Sequence, residues 1–401
     1  MITLHSHSAL RELRFRRYFV AACQAALGTW VMRFLLGWLA WDLTHSALWV
    51  GAISACMLLP SIILSPLFGV LSDRISPRNG MLGTLSAQAA VALFTAAVMV
   101  AGWFSLPWLV ALTLAAGGIS AAHHPLRLAL IPQLVPRRSL ASAIGLSAIM
   151  FNLSRIVGPA IAGILIAQLS SAAAFLLAAL LFAGAFAALL RVHAADRAVP
   201  ASGASVMAQL IEGLRFAANN APVRLTLLFT CVNGLLGRAV LELLPAISGQ
   251  LLSGGAGVLA VLMAVAGVGS ILGGALLARQ NDNESALTRL VLISLASATL
   301  VLLPVKWAST PWLLAPIVAY LSFATTLVGV GSQALAQLTV QEAFRGRVMS
   351  LWIMLSMGAP AIGGFALGAI ADRIGFGATL IAAVPFALLS VGYLWRQARV
   401  R

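Results

Sequence analysis

The sequence predicts an all-α membrane protein: twelve transmembrane helices in two pseudo-symmetric six-helix halves. Three observations carry that prediction. Apolar segments recur along the whole chain, each roughly 20 residues long, enough to cross a hydrocarbon core of about 30 Å. Only 9% of the 401 residues are charged and 61% are hydrophobic, with a mean hydropathy of +1.01, whereas soluble domains carry about 25% charged residues. Motifs of the first half also return in the second, 201 and 205 positions later. Strand-type alternation is absent, so helices must satisfy the backbone polar groups.

The first six spans are read at 18–43, 48–71, 79–101, 106–131, 141–168 and 171–191. Arg11, Arg14, Arg16 and Arg17 precede the first, and Arg74 and Arg78 mark the turn between the second and third. Arg137 and Arg138 separate the fourth from the fifth, and Arg191 closes the sixth. A polar stretch follows from His193 to Asn220, with Pro200, Ser202 and Gly203. Within it, Met207 to Phe216 reads as a short amphipathic helix on the membrane surface. The remaining spans are 223–248, 255–278, 288–306, 311–336, 347–370 and 376–396, with Arg279 and Arg289, then Arg345 and Arg347, at their junctions. The predicted organisation is a first half over 1–192, a linker over 193–222 and a second half over 223–401.

Charge sets the orientation. Of the 25 Lys and Arg residues, Arg33, Arg127, Arg155 and Arg238 lie within spans, and only Lys306 and Arg373 fall in loops of one side. The others lie on the opposite side, so that side, with both termini, is cytoplasmic by the positive-inside rule. The net charge of +15 therefore reflects alternate loops and argues against nucleic acid as a partner. Cys23, Cys56 and Cys231 sit alone in apolar spans and read as small core residues. The polar, basic Met1–Arg17 stretch does not read as a cleavable signal peptide. His123 and His124 supply too few ligands for a metal site and read as helix polar groups.

Three patterns carry mechanism. The turn Gly69-x3-Asp73-Arg74-x3-Arg78 places a glycine, an acid and two arginines at the water boundary, where such charges can pair with neighbouring helix ends and act as a conformational latch. Ordinary interface charge on a tight turn is the alternative. Span five carries Gly145, Ser154, Gly158, Pro159, Ala162 and Gly163; small residues permit close helix packing, and Pro159 bends the helix. Gly158-Pro159 to Gly163 returns as Ala359-Pro360 to Gly364, and Gly69-x4-Arg74 returns as Gly274-x4-Arg279. Duplication of a six-helix unit explains both.

Ionisable residues within spans form the third pattern: Arg33, Arg127, Arg155, and Arg238 with Glu242. Intramembrane charges mark function by default. Arg33 and Arg238 are 205 positions apart, the same offset as the loop repeat. Glu242 lies one turn beyond Arg238 and is the carboxylate placed well inside the membrane; Asp42 and Asp372 lie near span ends. Glu242 is thus the candidate proton carrier, with a permanent structural ion pair as the alternative. Arg155 and Asn152 offer hydrogen bonds one turn apart in span five, while Arg127 is expected to partner Asp73. Trp30, Phe34, Trp38, Gln333, Gln337 and Trp352 are candidate wall residues.

The loop motif resembles that of the major facilitator superfamily, and the span-five pattern is similar to the antiporter motif of its exporters. Gly28-Thr-Trp-Val-Met-Arg33, Asn152-Leu-Ser-Arg155-Ile-Val-Gly-Pro159, Gly237-Arg238-x3-Glu242-Leu-Leu-Pro245 and Arg345-Gly-Arg347-Val-Met-Ser350 resemble the enterobactin-exporter-like group, drug:proton antiporter family three. The resemblance implies alternating access and proton-driven efflux of drug- or siderophore-like amphipathic molecules across a bacterial inner membrane. The expected partners are the lipid bilayer, a small-molecule substrate and protons as the driving force, with a monomer and no cofactor; the sequence holds no nucleophile–base pair, metal cluster or nucleotide-binding loop, which argues against an enzyme. Uptake on the same fold and lipid or lysolipid flipping remain open at this level.

Overall fold

The computed structural model describes residues 9–72, 75–193, 206–279, 283–340 and 342–399. Its first half contains α1 (Leu13–Thr44), α2 (Ala47–Ser72), α3 (Pro77–Val100), α4 (Leu106–Leu134), α5 (Leu140–Gln168) and α6 (Ser171–Leu190). A linker helix α7 (Val206–Asn219) leads to α8 (Ala221–Val232), a π-helical segment Asn233–Arg238, α9 (Ala239–Glu242) and α10 (Leu244–Leu252). There follow α11 (Ala256–Leu277), α12 (Glu284–Leu300), α13 (Pro311–Thr339), α14 (Glu342–Ile374) and α15 (Phe376–Arg399). Among the described residues, twelve helical stretches are long and apolar enough to cross a membrane. They coincide with the twelve spans expected from hydropathy.

Short polar residues set where these helices begin. Ser76 caps α3 by accepting from the Asn79 N–H, with Pro77 in the first turn. Ser170 accepts from Ala173 N–H at the start of α6, and Asn220 from Val223 N–H at the start of α8. Asn283 takes both Ser285 and Ala286 N–H groups at the start of α12. Each cap satisfies donors that would otherwise be unpaired in the first helical turn.

The seventh span departs from the single helix that hydropathy suggests. It is assembled from α8, the π segment, α9 and α10, with a break at Leu243 before Pro245. Gly234 and Gly237 lie in the π segment, where low helix propensity eases the widening.

The chain forms two compact units, Met1–Leu39 with Ile63–Ser202, and Ala40–Ile62 with Gly203–Arg401. Ala40–Ile62 thus groups with the second unit. In the first unit, α3 is stitched to α4 by Thr84 Oγ1 with His123 Nδ1 (2.8 Å) and to α6 by Arg78 Nη2 donating to Leu190 O (2.9 Å). The part-buried Thr84–His123 contact matters where lipid offers no hydrogen-bonding alternative. The second unit is cored by Leu225, Phe229, Val291, Leu295, Val328 and Val391. There α7 is clasped to α14: Glu212 bridges Arg347 at 2.8 Å, and Phe216 stacks on Phe344 with centroids 4.2 Å apart.

Candidate functional site

In the first unit, α1 and α5 bring three sequence-predicted residues together around one indole. Trp30 and Arg33 are three positions apart and share a face of α1, which sets the Arg33 guanidinium 5.5 Å from the Trp30 ring centroid. Arg155, from α5, is also 5.5 Å from that centroid. Phe151, one turn before Arg155, meets Trp30 edge-on at 5.5 Å and carries Arg127 of α4 at 5.7 Å. The helices approach this closely because of Gly158: a Cβ there would lie 2.7 Å from the Trp30 Cβ. Span five therefore needs a glycine at this position, as its small-residue pattern predicts.

Two cationic side chains therefore share one aromatic ring. Two guanidiniums each 5.5 Å from one ring centroid are at most about 11 Å apart, and at an effective dielectric of ~20 two such charges repel by at least roughly 1.5 kcal/mol. Each cation–π contact offsets that by about 0.5–2 kcal/mol. Both guanidiniums are thus held on a buried aromatic ring, as Trp30 is only 8% exposed. Phe34 and Trp38 are buried as well.

The other sequence candidates are distributed as follows. Asn152 turns its amide back to Ala148 O at 2.9 Å, so this donor serves its own helix. Ser154 likewise donates to Met150 O. Ala162, Gly158 and Pro159 are buried, whereas Gly145 lies on the exposed face of α5 with nothing near a would-be Cβ. Arg127 meets Phe151; its expected partner Asp73, and Arg74, lie outside the described residues. Gly69 falls in α2. Arg78 is committed to Leu190 O and to Asn79 Oδ1.

In the second unit the corresponding place is the broken seventh span. Arg238 closes the π segment and Glu242 closes α9; both are half-buried. Close packing against α14 and α13 holds the segment. A Cβ on Gly234 would lie 2.5 Å from Ala359 Cβ, and one on Gly237 2.5 Å from Thr325 Cγ2. A Cβ on Gly363 would overlap the Leu235 carbonyl. Gly158 recurs as Ala359 in the repeated Gly-Pro and Ala-Pro sequences; Gly158 packs on Trp30 of α1, and Ala359 packs on Gly234 of the π segment. A buried polar network lies alongside: Thr230 donates to Ser332, Trp352 Nε1 donates to Ser332 Oγ, and Asn233 Nδ2 donates to Thr325 O. Hydropathy gave no sign of Phe151, Asn233 or Ser332, because each is an ordinary residue whose partner comes from a distant span.

Among the described residues, twelve helical stretches long and apolar enough to cross a membrane, one of them interrupted near Arg238 and Glu242, define a multi-pass membrane protein. The model of the transmembrane secretion effector family matches residues 4–401, and the chain belongs to this family of the major facilitator superfamily. It is similar to the staphyloferrin A transporter of Staphylococcus aureus, 23% identical over 369 residues, covering 89% of each chain. It is also similar to macrolide efflux protein A of Streptococcus pyogenes, 29% identical over 157 residues, 38% of each chain. Among solved structures, the nucleoside transporter NupG superposes with a TM-score of 0.76 at 12% identity, covering 96% of this chain and 98% of that one. The inward-facing, unoccupied bacterial homolog of the human lysosomal transporter Spinster gives 0.74 at 13% identity, covering 97% and 98%. These likenesses establish the fold.

Proposed function

We propose that this transporter exports amphipathic small molecules bearing an anionic or phenolic group, by alternating access coupled to protons. The observation that carries the reading is the pair of guanidiniums, Arg33 and Arg155, set on the buried Trp30 ring. A delocalised anion or phenolate finds charge from the arginines and an apolar, polarizable wall from Trp30 and Phe151. Lipophilic cations find the opposite. Relatives named for siderophore transport and macrolide efflux support a drug- or siderophore-like cargo.

The roles follow from placement. Arg33 and Arg155 take the substrate's negative end, with Asn152 on the same helix. Glu242 exchanges a proton at the interrupted seventh span, one turn after Arg238. Asp73, Arg74, Arg78 and Arg127, with Gly69, form the cytoplasmic gate. The chain is oriented with both termini in the cytoplasm of a bacterial cell, in the cytoplasmic membrane, and works as a monomer.

The test is export by cells from a panel of dyes, antibiotics and catecholate siderophores, with wild type compared with Arg33→Gln and Arg155→Gln. Anionic and phenolic members are expected to be exported by wild type and retained by both variants. Strong preference for lipophilic cations sinks the reading.

A further inference from the structure

The end of α2 that begins at Ala47 is fastened to α14 by a single carboxylate. Asp372 Oδ1 accepts from the Ala47 N–H at 2.7 Å, and Oδ2 accepts from the Leu48 N–H at 3.1 Å and from Ser46 Oγ at 2.5 Å. Ser46 Oγ in turn accepts from the Trp49 N–H at 3.3 Å. The first turn of α2 therefore has its exposed donors met by a negative charge from a residue more than 300 positions away, at the end where the helix dipole favours an anion.

Below this fastening the two helices meet almost backbone to backbone. A Cβ on Gly368 would overlap the Ala47 carbonyl, and one on Gly51 would overlap the Gly364 carbonyl. Ala55 and Leu58 pack on Ala361 further along, and a Cβ on Gly358 would sit 3.0 Å from Ile62 Cδ1. Mostly small residues form the seam, so little side-chain interdigitation resists its parting; the charged bonds sit at one end of it. The compact unit that contains α14 also ends along α2 at Ile62, and the rest of α2 belongs to the other unit. One continuous helix is thus held at its Ala47 end by the second half of the chain.

We propose that Asp372 is an outer-face latch, holding the Ala47 end of α2 on α14 and releasing it when the transport path opens outward. The assignment to the outer face rests on the orientation proposed above. The latch is the counterpart, at the opposite membrane face, of the acid-bearing turn after α2. Its chemistry suits repeated breaking: charge-assisted hydrogen bonds are strong when made and are replaced by water when the end separates.

The experiment measures the seam itself, without substrate or proton gradient. In a background with Cys23, Cys56 and Cys231 replaced by alanine, Leu43→Cys and Ile374→Cys carry spin labels; both positions are exposed and flank the latch. Pulsed electron resonance in lipid nanodiscs then gives the distance distribution. With Asp372 intact, one short-distance population is expected to dominate. Asp372→Leu should lower the ratio of short to long distances about tenfold, the loss expected when charged hydrogen bonds are removed. Asp372→Asn, which keeps an acceptor, and Ser46→Ala, which removes one bond, should give smaller shifts in the same direction. Those two milder changes also decide the matter if Asp372→Leu does not fold. Distributions unchanged by Asp372→Asn and Ser46→Ala overturn the latch. Failure of proton-driven export leaves this readout untouched, and loss of the latch leaves the export reading to its own test.

Discussion

At the residue scale, Trp30 organises the first unit's site more than any one arginine does, because it is the surface that Arg33, Arg155 and Phe151 all contact. Trp30→Ala should therefore abolish export of an aromatic anion, whereas Trp30→Phe, which keeps a weaker π face, should retain part of it; initial export rates distinguish the two. Gly158→Val should lower the thermal stability of the purified protein by about 1–3 kcal/mol, the usual cost of overpacking, since its Cβ meets the Trp30 Cβ. Gly145→Val should change it little, as nothing lies near that position. The arginines were legible in the sequence because charge within an apolar span is rare. Their shared ring was not, since a tryptophan on an apolar helix reads equally well as packing. Gly145 and Gly158 looked equivalent as letters of one pattern, and only the neighbouring helix separates them.

At the element scale, the interrupted seventh span is the main departure from what hydropathy could show. Its apolar run was legible; the π widening from Asn233 to Arg238 was not, because it depends on close contacts with α13 and α14. The widening rotates the residues after it relative to those before it, so Glu242 takes its direction from the π segment. Gly363→Val, which would drive a side chain into the Leu235 carbonyl, should disturb that direction. We expect it to reduce transport of every substrate alike, with the protein still inserted at normal levels in the membrane. A substrate-selective loss would contradict this role for the π segment. The caps were better advertised: Ser76 before Pro77, and Asn283 before Glu284, are local signals that need no distant partner.

At the level of the whole chain, helix α7 was legible from amphipathic spacing. The structure adds what α7 holds. Its ion pair Glu212–Arg347 is substantially exposed, at 50% and 29%, and pairs of that kind contribute about 0–1 kcal/mol. The Phe216–Phe344 stack contributes about 0.5–1.5 kcal/mol beyond its buried area. Phe216→Ala should thus lower the melting temperature more than Glu212→Ala, as thermal unfolding in detergent would show. The sequence also divided the chain at the linker, and the assignment of Ala40–Ile62 to the second unit lay beyond its reach. Glycines such as Gly51 and Gly368 announce a close neighbour without naming it, and Asp372 carries no sign that its partners are Ser46, Ala47 and Leu48.

In the proposed cycle, proton movement through Glu242 drives export. Inverted membrane vesicles containing the protein, energised by respiration and loaded with a pH-sensitive dye, test it most directly. Adding an exported anionic amphipath should release lumenal protons in step with its uptake for wild type. Glu242→Gln should give no substrate-dependent proton movement while still binding the ligand. Equal proton release by wild type and Glu242→Gln would contradict the claim and leave Glu242 as a structural partner of an arginine.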